Sequence, residues 1–199
     1  MKLAALAGAI GPVLFAGMLV ALSDLEYDFM LGIGWRPVAD PAGAWPSGLS
    51  LGPYGSAQVA NFVVSGLLLC VFALGLYLRV TDGRGPAQLG PALLFVAGVA
   101  MALMGFRTDP IERVGPRSLH GLIHDSAFVV FVLAFLAALF LLWWSWKQDA
   151  RWKHHARYTL ATGILAVLLL VLPGVAYFLF LVVLLAWIEV TAIRLWRLS

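Results

Sequence analysis

Long apolar blocks, separated by short polar breaks, dominate the chain. A membrane-spanning helix needs roughly 20 mainly apolar residues at about 1.5 Å each. Blocks of that kind run over 3–22, 57–80, 87–106 and 119–145. A last block, 158–196, would reach about 60 Å as one helix, about twice the hydrocarbon thickness. Pro173-Gly174 lies near its middle. Proline removes a backbone donor and glycine tolerates turn geometry, so the block divides into 158–172 and 175–196. The pattern predicts an all-α fold: one transmembrane domain over 1–199, a bundle of six helices. The shortness of 158–172 leaves a kinked re-entrant segment as the alternative. The first block follows Met1-Lys2 like a signal peptide, but its apolar run is too long for a typical h-region, so it reads as a spanning helix.

Composition agrees with the pattern. Of 199 residues, 62% are hydrophobic and 12% charged, against about 45–50% and about 25% in soluble domains. The net charge of +3 is not gathered into a patch, which argues against a nucleic-acid partner. Instead the basic residues sort by helix end. Lys2, Arg79, Arg84, Lys147, Arg151, Lys153, Arg157, Arg194 and Arg197 fall on one side; Arg36, Arg107, Arg113 and Arg117 fall on the other. The positive-inside rule makes the first side cytoplasmic, with both termini inside, in a multi-pass protein of the cell inner membrane. Trp143, Trp144, Trp146, Trp152 and Trp196 collect at that boundary as an aromatic belt. Acids go the other way: Asp24, Glu26, Asp28, Asp40, Asp109, Glu112 and Asp125 are outer. The lone Cys70 sits in an apolar run and forms no internal disulfide.

The outer face also owns the long loop, residues 23–56. It is rich in glycine and proline but carries Phe29, Trp35, Trp45 and Tyr54, which argue for order. A loop this long in a compact protein is usually functional or disordered, and this one is expected to cover the bundle as a lid.

Polar side chains inside a membrane are costly. Gln58, Asn61 and Ser65 share one face at the outer end of the second helix, with His124 and the lid as expected partners. His120 and His124, spaced i, i+4, sit about 6 Å apart on one face of the fourth. That spacing suits a metal such as zinc, with Asp109 or Asp125 as further ligands; hydrogen bonding or proton handling are the alternatives. Asp109 precedes Pro110, a common turn start, and so can serve a turn instead, or pair with Arg107 or Arg113. Haem between helices fits less well, because two histidines on one helix cannot both be axial. Glu189, deep in the last block, reads as snorkelling beside Arg194. His154 and His155 read as solvated. Small residues (Ala4, Gly8, Gly11; Gly98, Ala102, Gly105) mark close helix crossings.

These residues carry a resemblance. Ser50-Leu51-Gly52-Pro53-Tyr54-Gly55, then Gln58, Asn61-Phe62 and Gly66, resemble the signature entering the second helix of the Domain of Unknown Function 998 family. Thr108-Asp109-Pro110, followed by Leu119-His120-Gly121 and His124-Asp125, is similar to its second signature. The resemblance implies family and six-helix architecture, and no activity. A fainter one links His120 and His124 to the alkaline-ceramidase and adiponectin-receptor hydrolases. Those hold zinc with three histidines, whereas here an aspartate would replace the third. The functional expectation is an outer-leaflet pocket for a lipid or other small amphipathic ligand, drawn from Tyr54, Gln58, Asn61, Ser65, Asp109, His120, His124 and Asp125. The alternatives are a zinc-dependent membrane hydrolase and an accessory subunit, with a membrane-protein partner or a second copy of the chain as neighbour.

Overall fold

The computed structural model describes residues 1–79, 86–110 and 114–199; Arg84, Glu112 and Arg113 lie outside them. Among the described residues there is no strand, only an isolated bridge between Arg36 and Asp40. The long helices are α1 (Lys2–Leu25), α3 (Gly55–Arg79), α4 (Pro86–Leu103), α5 (Leu119–Trp146), α6 (Lys153–Val171) and α7 (Ala176–Arg197), with a short α2 (Tyr27–Gly32) between the first two. Five of them are long and apolar enough to cross a membrane; α4 is apolar but shorter. Their outer faces expose Leu3, Val13, Val20, Leu67, Leu133 and Val182, which suits hydrocarbon rather than water.

The predicted boundaries shift in informative ways. The helix expected over 158–172 begins at Lys153, because the Lys-His-His-Ala-Arg segment is already helical. It thereby becomes long enough to span. Gly174 takes φ +68 at the expected break, a conformation glycine adopts without a Cβ clash. α4 stops at Leu103, and a tightened turn carries Gly105 and Phe106 onward.

Small residues set the closest crossings. A Cβ on Gly66 would meet the backbone of Ala102 and Gly98, so α3 and α4 touch backbone to backbone. A Cβ on Gly8 would strike Phe72 and Ala192, which holds α1 against α3 and α7.

The chain between α1 and α3, the segment expected to cover the bundle, is not a structureless loop. It holds α2 and two 3-10 turns, Pro41–Gly43 and Ser47–Leu51. Met30, Leu49 and Ser50 are fully buried. Trp45 wedges against Tyr177 and Phe178 of α7, and its indole N–H donates to Ser23 Oγ at 2.8 Å.

The opposite end is pinned by aromatic stacking. Trp146 and Trp152 stack at 4.4 Å, and Trp187 lies parallel to Trp146 at 6.4 Å. His155, expected to be solvated, is instead buried among these rings and meets Thr191 Oγ1 at 2.9 Å. At the same end Arg79 donates to the Leu198 carbonyl and Lys2 lies over Trp196. Arg194 donates to the Arg151 carbonyl, and Glu189 keeps a buried Oε2 with no hydrogen-bond partner among the described residues.

Candidate functional site

The polar groups converge beneath the lid, and His124 is the hub. Its ring is 3% exposed. Nδ1 lies 2.8 Å from the Met104 carbonyl oxygen and 2.7 Å from that of Phe106, at the frayed end of α4. Nε2 lies 2.7 Å from Ser47 Oγ, in the second 3-10 turn of the lid. Phe62 of α3 meets the imidazole edge-on at 6.0 Å. One side chain thus joins α4, α5 and the lid.

The start of α5 explains why His124 sits there. Ser118 caps the helix, its Oγ accepting from the Gly121 N–H at 3.0 Å. Asp109 accepts from the Ser118 N–H at 2.8 Å, and its carboxylate lies against Gly121, where any Cβ would strike it. A carboxylate at a helix start is favoured by the helix dipole. Asp109 thus braces the first turn of α5 through Ser118.

The second-helix face is a relay of buried bonds. Ser65 Oγ donates to Asn61 Oδ1 at 3.4 Å; Asn61 Nδ2 donates to Gln58 Oε1 at 3.2 Å and to the Phe15 carbonyl at 3.3 Å. Gln58 Nε2 donates to the Pro46 carbonyl at 3.4 Å. The relay thus reaches α1 and the lid, as satisfied buried amides must. It does not reach His124, whose own partners are elsewhere.

The four candidate metal ligands are not assembled. His120 is exposed and packs against Phe106. Both nitrogens of His124 have protein partners. Asp109 caps α5, and Asp125 pairs with Arg117. Among the described residues no three His, Cys, Asp or Glu side chains are grouped to hold a metal ion.

Two cavities adjoin in this region, and His124 lines one of them. A polar one of about 350 Å³ is walled by Asp109, Arg117, His124, Asp125, Ser47 and Thr108. A narrow apolar one of about 60 Å³ runs inward between α1, α3, α4, α5 and α7, past Phe15, Phe62, Met101, Met104, Phe131 and Leu184, with Ser65 on its wall. Ser47, Phe128 and Tyr177 line both. Tyr54 and His120 are exposed, and Gln58 and Asn61 are buried; none of these four lines either cavity.

Three residues escaped the sequence reading. Ser47 was one serine in a Gly/Pro-rich loop, with no periodicity to mark it. Arg117 counted only as an outer charge. Glu26 counted only as an outer acid, yet it is 2% exposed and accepts from the Tyr54 N–H at 2.5 Å. The short distance from Glu26 to the end of α1 was the available signal.

A profile of the family described as Protein of unknown function (DUF998) matches residues 15–195. No curated protein and no solved structure matches the chain.

Proposed function

The chain belongs to the DUF998 family, and from that premise we propose that this integral membrane protein binds an amphipathic molecule, a lipid or lipid-like compound, beneath its lid. The polar cavity would take the headgroup and the apolar cavity a single chain. The observation that carries the reading is the seam: Ser47, Phe128 and Tyr177 belong to both cavities, so a polar space and an apolar one adjoin along a shared wall. Polar placement of this kind in a mainly apolar concavity is what orients a ligand. The polar wall carries Arg117 paired with Asp125 and a second carboxylate, Asp109, which suits a neutral or zwitterionic headgroup with both donors and acceptors. The apolar cavity is narrow, but Met101 and Met104 on its wall are unbranched and adapt readily to an entering chain.

The same reading completes the topology. With α4 taken as a sixth span, both termini fall on the side rich in Lys and Arg, and the lid lies over the outer leaflet of the inner membrane.

The test is mass spectrometry of organic extracts from protein purified in mild detergent. Wild type is expected to retain an amphiphile near one per chain. Ala7→Phe, which fills the apolar cavity from α1, is expected to retain little. Equal retention by both, or none by wild type, would count against the proposal.

A further inference from the structure

We propose that Ser47 and His124 are a nucleophile and its general base, cleaving an ester of the amphipathic molecule held at the seam. The inference rests on the binding reading above, since that reading supplies the substrate class.

The hydrogen-bond pattern assigns the proton. The Met104 and Phe106 carbonyl oxygens can only accept, so His124 Nδ1 is the nitrogen that bears hydrogen. In the neutral ring Nε2 is then a bare acceptor, and the Ser47 hydroxyl, 2.7 Å away, donates to it. That is the polarity a base needs in order to activate a serine. The opposite tautomer would set a nitrogen lone pair against two carbonyl lone pairs. The carbonyls also hold the ring in place, the role an orienting third group plays beside other nucleophile–base pairs. An imidazolium formed during reaction would strengthen the same Nδ1–H bonds.

Placement agrees with the chemistry. Ser47 lines both cavities, where the ester of a bound acyl compound would lie if its chain points inward and its headgroup outward. The turn that presents Ser47 is held by the Ser50 hydroxyl, which donates to the Ser47 carbonyl at 2.7 Å. His124 is buried on the wall of the polar cavity, and its Nε2 meets Ser47 rather than solvent.

The steps balance without any redox partner. Ser47 Oγ bonds to the ester carbon as its proton passes to His124 Nε2. The ester C–O bond then breaks, and the leaving alcohol takes that proton. Water adds to the acyl-Ser47 carbon, giving its proton to Nε2. The Ser47 C–O bond breaks, the carboxylic acid leaves, and Nε2 returns the proton to Oγ. The net reaction is ester plus water to acid plus alcohol.

The experiment uses the full chain in detergent and a fluorophosphonate bearing an alkyl chain, which reacts only with activated serines. Intact-mass and peptide analysis are expected to show one adduct, on Ser47. Ser47→Ala should give none, and His124→Gln should label at least about 100-fold more slowly. Ser126→Ala, on the exposed face of α5, should label as wild type does. Bound amphiphile is measured on the same samples. A wild-type protein that retains amphiphile but forms no Ser47 adduct overturns the nucleophile assignment and leaves the binding reading standing. A Ser47 adduct on protein that retains no amphiphile does the reverse. Unchanged labelling in His124→Gln overturns the base assignment, whatever the state of Ser47→Ala.

Discussion

Glu26 Oε1 accepts a hydrogen bond from the Tyr54 backbone N–H at 2.5 Å. Glu26 directly follows α1, and Tyr54 directly precedes α3. One carboxylate therefore ties together the two roots of the lid. Gly52 lies so close to the carboxylate that a side chain there would collide with it.

Glu26→Ala should loosen the lid at its base. A hydrogen bond to a charged group contributes about 1.5–3 kcal/mol, so the Tyr54 amide should exchange roughly 10–100-fold faster. Hydrogen exchange read by mass spectrometry over 47–56 checks this. Amides in the centre of α5 should not change; if they do, the substitution has unfolded the bundle rather than freed the lid.

Helix contact should respond to glycine in opposite ways at two sites. Gly66→Val places new atoms against the backbone of Ala102 and Gly98, which cannot move aside as a side chain can. Overpacking of this kind costs about 1–3 kcal/mol. Gly17→Ala meets nothing within 4 Å and should stabilise α1 by up to about 1 kcal/mol through helix propensity. Thermal or detergent-driven unfolding of the two variants should therefore move in opposite directions.

The loop between α5 and α6 gives a pH signature. The Arg151 side chain hydrogen-bonds Asp149 and holds its carboxyl below the usual carboxylate range, against the opposing effect of partial burial. The folded-state pKa is thus depressed. Its contribution to stability is complete above the unfolded value of about 3.9 and is lost as pH falls through the folded one. Arg151→Gln should raise the Asp149 pKa, which carboxyl-detected NMR titration would read. Its effect on unfolding at neutral pH should be small, because partly exposed pairs contribute about 0–1 kcal/mol.

The apolar blocks made the helices legible, because roughly 20 consecutive apolar residues permit few other structures in a bilayer. Boundaries were less so. The 153–157 segment is polar, and hydropathy cannot distinguish a solvated helical turn from a loop. Gln58, Asn61, Ser65 and His124 stood out because polar groups in apolar runs demand partners. Their partners did not stand out. His124 bonds two main-chain carbonyls, which no side-chain pattern reveals, and a serine 77 positions away. Ser47 and Glu26 belong to an irregular segment where neither period 3.6 nor period 2 operates, so only the fold could bring them to notice. The spacing of His120 and His124 suggested a shared ligand, but His120 lies exposed in the first turn of α5 against the Phe106 ring, while His124, one turn further in, is buried and bonded to main-chain carbonyls and Ser47.

The stacked tryptophans far from the lid have a consequence for where this molecule yields. Separating Trp146, Trp152 and Trp187 would uncover broad ring faces and a buried imidazole together, so that end resists partial opening. The lid is held by polar bonds and also by the burial of Met30, Trp35 and Leu49 and the packing of Trp45 on Tyr177 and Phe178. The two ends of the bundle are thus held by different means, an apolar ring stack at one and a mixture of polar bonds and buried side chains at the other.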